Sequence, residues 1–361
     1  MRPTSLASRV VLATTLVAVV STPLMGAPPS PPPATEDGSA PFSAEDLAVQ
    51  CRLHILDACA VLVSLGPERV ERRVISEALA VLGRDCEERH VPRACLYEGR
   101  ILAKGELVPA NRQRAVDLFE ESCAAGCWEA CLDAGYAWRK GLGVQADPRL
   151  AKRLLEMACA HDVPMGCREL AVLLREQAGD DADAAAVHGL LVKACDGDDP
   201  VACWAVGLDL LEGKVVPAAP ERSAPLFERA CGRGLAAACR SLGYLYEKGR
   251  GVVADAKRAA ELYETACDAD DAGGCRNLGL AREAGRGVEQ SVEEAARLYE
   301  KACGLHLAVA CYNLGKLAQR GALGEERVRW AQGLFDTACL DGVKAACAEL
   351  TPPAEKPSPA P

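Results

Sequence analysis

Nineteen cysteines are the residues of this 361-residue chain whose spacing most clearly implies chemistry. Eighteen of them form pairs, and in all but one pair seven residues separate the two cysteines. From Cys123 to Cys339 the first cysteine of a pair recurs every 36 residues. The pairs are Cys51 with Cys59, Cys86 with Cys95, Cys123 with Cys131, Cys159 with Cys167, Cys195 with Cys203, Cys231 with Cys239, Cys267 with Cys275, Cys303 with Cys311 and Cys339 with Cys347.

Thiols in such pairs could form disulfides or bind zinc. Zinc sites prefer cysteines about two to four residues apart, with a second such pair or histidines nearby. The five histidines keep no fixed register with the cysteines, so the pattern favours disulfides.

The spacing also requires a chain reversal. Residues eight apart in one helix lie ~12 Å from each other, whereas a disulfide needs Cα atoms within ~7 Å. One helix must therefore end, and the next begin, between the two cysteines. The residue three after the first cysteine is of a type that tolerates the left-handed conformation closing a helix. These residues are Gly126, Asp162, Asp198, Gly234, Asp270, His306 and Gly342.

Cys127 has no partner in this scheme, because it lies between Cys123 and Cys131. It could be a reactive thiol, an intermolecular bridge or an alternative disulfide partner. We favour the simpler interpretation that it is a small apolar residue where other repeats place Val163 or Leu235.

The repeats also carry two apolar helical segments, which in three of them are joined by a Gly-x-Gly-Val loop, at 141–144, 249–252 and 285–288. A small residue, such as Gly243, stands four residues after the second cysteine on the first of these helices. Glycine lowers helix propensity, so its recurrence predicts close helix–helix approach. Gly249-x-Gly251 lies between helices with no strand before it, so we interpret it as a turn and not as a phosphate loop.

With the cysteine pairs, the pattern A-x-x-L-Y-E-x-A-C, A-C-x-N-L-G-x-L-Y and G-x-G-V resembles Sel1-like repeat proteins, relatives of the tetratricopeptide superhelices. More narrowly, the chain is similar to the Helicobacter cysteine-rich proteins, whose repeats carry the same bridged pair. The resemblance covers about residues 43–350 and is strongest from Cys195 to Cys347. The first two units depart from it: Gly-x-Gly-Val is missing between Cys59 and Cys86, and the next pair has one extra residue.

The resemblance implies an all-α fold: a right-handed α/α solenoid of about eight to nine 36-residue helix pairs, with a concave groove that binds proteins or peptides. It also implies an alternative function, since members of the Helicobacter group are described as penicillin-binding proteins with β-lactamase activity. A serine β-lactamase would need Ser-x-x-Lys and Lys-Thr-Gly, and neither occurs in the sequence. We predict no catalytic residues, metal or cofactor.

The two ends differ from the repeats in composition. Arg2 and Arg9 precede a short apolar run at residues 10–20, which predicts a secretory signal peptide over residues 1–26. A Pro-rich linker over 27–42 and a Pro-rich tail over 351–361 flank the repeat region at 43–350. An uncleaved anchor and an organellar presequence are the alternatives.

Charge bears on the partner. The chain has 41 basic and 51 acidic residues, so no basic excess is present to bind nucleic acid. Asn277 and Asn313 lie two residues after the second cysteine, one repeat apart. They could bind a peptide main chain, because an amide both donates and accepts, or they could cap the start of the helix. Acidic residues at the same position in other repeats favour a neutral or basic partner.

The sequence therefore predicts an exported, disulfide-stapled scaffold, periplasmic or extracellular, that binds a protein or peptide in its groove. A β-lactam is the alternative ligand, and insertion in a membrane after signal cleavage is not expected. An assembly or redox quality-control role, and a location in the mitochondrial intermembrane space, are minor alternatives.

Overall fold

The computed structural model describes residues 43–178, 183–321 and 330–350. The predicted signal peptide, linker and tail lie outside these residues. The described part of the chain forms 18 helices and no strand, which confirms the all-α prediction. In chain order the helices are α1 Ala44–Arg52, α2 Leu56–Leu65, α3 Arg72–Glu87, α4 Pro92–Lys104, α5 Arg112–Ala124, α6 Trp128–Lys140, α7 Pro148–Ala160, α8 Pro164–Ala178, α9 Ala184–Asp196, α10 Pro200–Glu212, α11 Pro220–Gly232, α12 Ala236–Lys248, α13 Ala256–Asp268, α14 Ala272–Ala284, α15 Val292–Gly304, α16 Ala308–Gln319, α17 Ala331–Leu340 and α18 Lys344–Glu349.

The helices alternate between two kinds. We call the even-numbered ones A helices, because each carries the second cysteine of a pair near its start, and the odd-numbered ones B helices, because each carries the first cysteine near its end. Most A helices end at a glycine with left-handed backbone, such as Gly249 (φ 62°). Many B helices begin at a side-chain cap, such as Asp255, whose carboxylate accepts from the Arg258 N–H at 3.0 Å.

The helices form two compact units, one ending at Leu173 and the other beginning at Leu174. Within each unit every helix packs mainly against its neighbours in sequence, and most extensively an A helix packs against the B helix that follows it. This nearest-neighbour packing is the architecture of an α/α solenoid. Among the described helices, none has both the length and the apolar character needed to cross a membrane.

Nine disulfides in the described residues each join a B helix to the next A helix. They link Cys51 to Cys59, Cys86 to Cys95, Cys123 to Cys131, Cys159 to Cys167, Cys195 to Cys203, Cys231 to Cys239, Cys267 to Cys275, Cys303 to Cys311 and Cys339 to Cys347. Their Cα–Cα distances lie between 4.4 and 4.8 Å, so the chain reverses between the two cysteines, as the spacing predicts.

The turns inside these bridges share one backbone feature. A residue with left-handed backbone closes every one of them, and these residues are His54, His90, Gly126, Asp162, Asp198, Gly234, Asp270, His306 and Gly342. The bridge from Cys86 to Cys95 has a sequence separation of 9 where the others have 8. Its turn therefore holds one more residue, as the sequence predicts for this pair.

Most of the second cysteines lie in the interior near the start of the A helices. Eight of them are buried in the described structure, and Cys347 is exposed. The buried ones are Cys59, Cys95, Cys131, Cys167, Cys203, Cys239, Cys275 and Cys311. Because these sulfur atoms are bridged and shielded from solvent, they have a structural role and offer no thiol for metal binding or catalysis.

The recurring glycine of the A helices lies against a buried ring of the following B helix. A Cβ atom on Gly243 would lie 2.7 Å from Cε1 of Tyr263, and one on Gly279 would lie 2.6 Å from Cε1 of Tyr299. Both distances are too short for a real contact, so only glycine permits this helix approach. The chain has few aromatic residues, and this packing places one large ring inside many of its repeats.

The Gly-x-Gly-Val loop packs on the start of the preceding B helix. A Cβ atom on Gly287 would lie 2.1 Å from the carbonyl oxygen of Ala256, and one on Gly251 would lie 2.3 Å from the carbonyl carbon of Pro220. Both glycines also have left-handed backbone, with φ of 72° and 73°. The loop is therefore a packing element between successive helix pairs, which fits its interpretation as a turn.

Ser223 provides a test of the core of the second unit. Its side chain is fully buried in α11 and its hydroxyl has no hydrogen-bond partner in the described residues. Alanine occupies the same repeat position elsewhere, for example at Ala259 and Ala295. Because an unpaired buried hydroxyl costs about 1 kcal/mol or more, Ser223→Ala should raise the free energy of unfolding by about 1 kcal/mol in urea titrations. A lower midpoint at unchanged m-value would contradict this expectation.

Glu98 provides a pH-dependent test in the first unit. Its Oε2 atom is buried in α4 without a hydrogen-bond partner in the described residues. Burial raises the pKa of Glu98, the charge of Glu87 raises it further, and Arg114 opposes the shift. The folded state therefore binds this proton more readily than the unfolded state, so the stability it contributes is present at low pH and lost as pH rises through the folded pKa.

Glu98→Gln should accordingly raise the melting temperature at neutral pH, and the gain should shrink as the buffer is taken towards about pH 4. Melting curves of both proteins across this range check the prediction. A gain that grows as pH falls would contradict the assignment.

Candidate functional site

The residue two after the second cysteine, which we call the ladder position, lies at the contact between consecutive A helices. In the first unit Arg100 Nε donates to the ladder residue Asp133 at 2.6 Å, and Arg139 Nη2 donates to the ladder residue Glu169 at 2.7 Å. Each of these bonds joins an A helix to the next one. Both carboxylates are buried, and each is paired with an arginine of the protein itself.

The second unit repeats this arrangement with other chemistry. Trp204 Nε1 on α10 donates to the ladder residue Ser241 on α12 at 2.9 Å. Lys316 Nζ on α16 donates to the ladder residue Glu349 on α18 at 2.9 Å. The hydrogen bond from Lys316 lowers the pKa of the Glu349 carboxyl. The ladder position is thus a polar seam between A helices.

These ion pairs change one expectation. The acidic ladder residues Asp133, Glu169 and Glu349 are each paired with a basic side chain. They therefore offer a partner no unpaired negative charge. The expectation of a neutral or basic partner assumed such a charge at these residues, and that assumption is wrong.

Asn277 and Asn313 occupy the ladder position of α14 and α16, inside the helices and away from their caps. The cap of α14 is Asp271, which accepts from the Gly274 N–H at 2.6 Å, and the cap of α16 is Leu307, without a side-chain bond. The capping alternative for the two asparagines is therefore wrong. A role in peptide binding stays a prediction.

The surroundings of the two asparagines are rich in donors. Asn277 Oδ1 accepts from Arg276 Nη1 at 3.3 Å. Within the described part of the chain, the buried Nδ2 atom of Asn313 and the buried Nε atom of Arg276 have no hydrogen-bond partner. Burial lowers the pKa of Arg276, and the nearby Tyr299, Glu247 and Tyr263 oppose that shift.

The carboxylate of Glu247 does not serve as an acceptor for Arg276. Tyr263 Oη donates to Glu247 at 2.7 Å, and Lys248 Nζ donates to it at 2.8 Å. Burial by itself would raise the pKa of Glu247, but the hydrogen bonds from Lys248 and Tyr263 bring it below the ordinary value. Among the described residues, no carboxylate therefore meets Arg276 at hydrogen-bond range.

Cys127 is the free cysteine of the described residues and lies directly before α6. Burial raises the pKa of its thiol, while hydrogen bonds from Ser122 and Ala130 oppose the shift. The thiol donates towards Glu129 Oε2 at 3.6 Å. A raised pKa reduces the thiolate fraction and hence reactivity, which supports the interpretation of Cys127 as a small apolar residue.

The histidines have local structural roles. Three of them adopt the left-handed backbone of the turns between cysteines: His54, His90 and His306. His161 stacks on Trp128 with ring centroids 3.6 Å apart, and His188 Nδ1 lies 2.7 Å from Asp209 Oδ2. The described residues contain no group of three or more side chains placed to hold a metal ion.

The sequence contains a signal for the polar seam that is easy to miss. The pairs Arg100–Asp133 and Lys316–Glu349 have the same separation of 33 residues, and each joins one A helix to the next. A repeat period of 36 with opposite charges at a separation of 33 would have revealed that the acidic ladder residues are paired. No comparable spacing in the sequence marks Arg276, because what distinguishes it is an acidic residue that the following repeat lacks.

Comparison with known proteins agrees with this architecture. The Sel1 repeat model matches residues 92–127, 128–163, 200–235, 236–271, 272–305 and 308–329, more than half of the chain. In these boundaries a repeat is an A helix followed by a B helix, so the disulfides join consecutive repeats. No curated protein matches the sequence.

Three solved structures illustrate the similarity. A protective antigen of uropathogenic Escherichia coli with an SLR fold is 19% identical at a TM-score of 0.67, with 86% of this chain and 66% of that chain covered. A Sel1 repeat protein from Oxalobacter formigenes is 26% identical at a TM-score of 0.61, with 68% and 98% covered. The cysteine-rich protein B of Helicobacter pylori is 32% identical over 36% of this chain and 93% of its own, at a TM-score of 0.31.

Proposed function

Because the chain belongs to the Sel1 repeat family, whose repeats generally mediate protein–protein interactions, we propose that it is an exported scaffold binding a protein or peptide segment. The binding surface we propose is the A-helix face of the second unit, around Arg276, Asn277 and Asn313. A catalytic role is not part of this proposal.

The observation that carries the proposal is the pair of unsatisfied donors on a rigid frame. Arg276 Nε and Asn313 Nδ2 are buried polar atoms without partners in the described residues. Buried donors are nearly always paired in folded proteins, so a segment bringing acceptors would satisfy them. Elsewhere on the same seam the polar groups are paired within the protein, as between Trp204 and Ser241.

The disulfides support both the frame and the location. Disulfides persist in oxidising compartments and are rare in the cytosol, so nine of them indicate an oxidising environment. We propose that residues 1–26 direct export to the periplasm or the extracellular space. Each bridge fixes one A helix to the preceding B helix, so ordering the frame costs little when a partner binds.

The test is selection from a random dodecapeptide library by the oxidised protein, followed by calorimetric titration of the selected peptides. Binding should fall for Asn313→Leu, which removes an amide from the proposed surface. It should persist for Arg258→Gln, a matched change on the exposed side of B helix α13. Failure to select any peptide, or equal loss in both variants, would reject the proposed surface.

The β-lactam alternative stays a prediction of the resemblance. It is tested by incubating the oxidised protein with a chromogenic β-lactam, with Cys127→Ala run beside it. Saturable turnover that co-purifies with the protein would replace the scaffold proposal with an enzymatic one.

A further inference from the structure

Arg276 differs from its counterpart in the preceding repeat by the loss of one carboxylate. Arg240 and Arg276 occupy the same repeat position, directly after the second cysteine. Arg240 Nε donates at 2.8 Å to Asp271, which lies at the start of the next A helix. The residue equivalent to Asp271 in the following repeat is Leu307, so the carboxylate that Arg240 meets has no counterpart for Arg276.

The structure shows the consequence of that exchange. The one hydrogen bond of Arg276 within the described part of the chain runs from Nη1 to the neutral amide of Asn277, at 3.3 Å. Its Nε atom is buried and unpaired, whereas the Nε atom of Arg240 is satisfied by Asp271. Arg276 as a whole is half-buried. A partly desolvated guanidinium without a carboxylate is a costly arrangement unless a partner supplies the negative charge.

By its position in the repeat, Asn313 brings a second donor to the same step of the seam. The bond from Trp204 to Ser241 shows that the residue directly after the second cysteine meets the ladder position of the next A helix. Arg276 and Asn313 are the equivalent pair two repeats later. Both have a buried donor nitrogen, and neither nitrogen has an acceptor among the described residues, so two donors are left unsatisfied at this step of the seam.

We propose that Arg276 and Asn313 form a subsite for a carboxylate of the bound segment. A carboxylate accepts several hydrogen bonds and matches the guanidinium in charge, as the side chain of Asp271 does for Arg240. The carboxylate comes from an aspartate or glutamate side chain or from the carboxyl terminus of the segment. This inference rests on the proposed function and specifies its partner as acidic at one point.

The test uses one dodecapeptide selected by the wild-type protein, synthesised in four forms: its acidic residue kept or replaced by the amide, and its carboxyl terminus free or amidated. Loss of the contacting carboxylate should weaken binding by roughly tenfold or more, since a hydrogen-bonded charge pair contributes at least that much. The form that loses affinity tells a side-chain carboxylate from a terminal one.

Two variants of the protein locate the effect. Arg276→Gln should bind the acidic and the amide forms equally weakly. Leu307→Asp supplies the missing carboxylate internally at the position of Asp271, so it should abolish the preference for the acidic form while leaving Arg276 in place. Arg258→Gln is the control and should keep the full preference.

The outcomes separate this inference from the proposed function. If no library peptide binds the wild-type protein, the scaffold proposal fails. If peptides bind but the amide forms and Arg276→Gln differ from the originals by less than about twofold, the carboxylate subsite is wrong and the binding surface stands. A preference for the acidic form of the peptide that persists in Arg276→Gln would also overturn the subsite.

Discussion

Gly287→Ala is expected to destabilise the second unit by about 3 kcal/mol or more, because two separate costs add. The residue has left-handed backbone with φ of 72°, which an alanine adopts only with strain. Its new Cβ atom would also lie 2.1 Å from the carbonyl oxygen of Ala256 and 2.2 Å from the carbonyl carbon. Both neighbouring atoms belong to the backbone of α13, so no side-chain rotation relieves the clash.

A matched glycine exchange in the same unit isolates this effect. Gly189 lies in the middle of α9, and a Cβ atom there meets nothing within 4 Å. Gly189→Ala should therefore stabilise the protein by about 0.5–1 kcal/mol through helix propensity. Urea unfolding of the oxidised proteins measures both changes. Similar midpoints for the two variants would show that the Gly-x-Gly-Val loop does not pack on the preceding helix as described.

Removing one disulfide gives the second large effect. The bridge between Cys267 and Cys275 joins α13 to α14 over a sequence separation of 8 residues, and the chain-entropy model assigns about 2.5 kcal/mol to a loop of this size. The double variant Cys267→Ala, Cys275→Ala should lose about that much stability, mainly in the second unit. Urea unfolding followed by circular dichroism checks it.

Cys127→Ala is the control for the loss of a cysteine side chain as such. Cys127 carries no disulfide, so its replacement should change stability by less than about 1 kcal/mol. If reduction of all bridges in the wild-type protein left the unfolding midpoint unchanged, the disulfides would not stabilise the repeats and the account of the frame would be wrong.

The fold was largely predictable because its determinants recur with a fixed period. Cysteines eight residues apart require a turn between two helices, and a glycine four residues after the second cysteine requires close packing, as at Gly243 against Tyr263. The histidine at a predicted turn position, His306, follows the same logic, since its backbone is left-handed. Each of these features depends on local geometry that one repeat specifies.

The candidate site was less predictable because it depends on contacts between repeats. Acidic ladder residues suggested free negative charge, yet Asp133 is paired with Arg100 of the preceding A helix. Arg276 carries no motif of its own. It becomes notable only when Leu307 is compared with Asp271, and when the contact between Trp204 and Ser241 shows which positions meet.

The most direct test of the central claim is hydrogen–deuterium exchange of the oxidised protein with and without a selected peptide. Binding on the A-helix face should slow amide exchange in the A helices α14 and α16, which carry Arg276 and Asn313, and leave exchange in the B helices α13 and α15 unchanged. Protection confined to B helices, or spread evenly over both kinds, would contradict binding on the A-helix face.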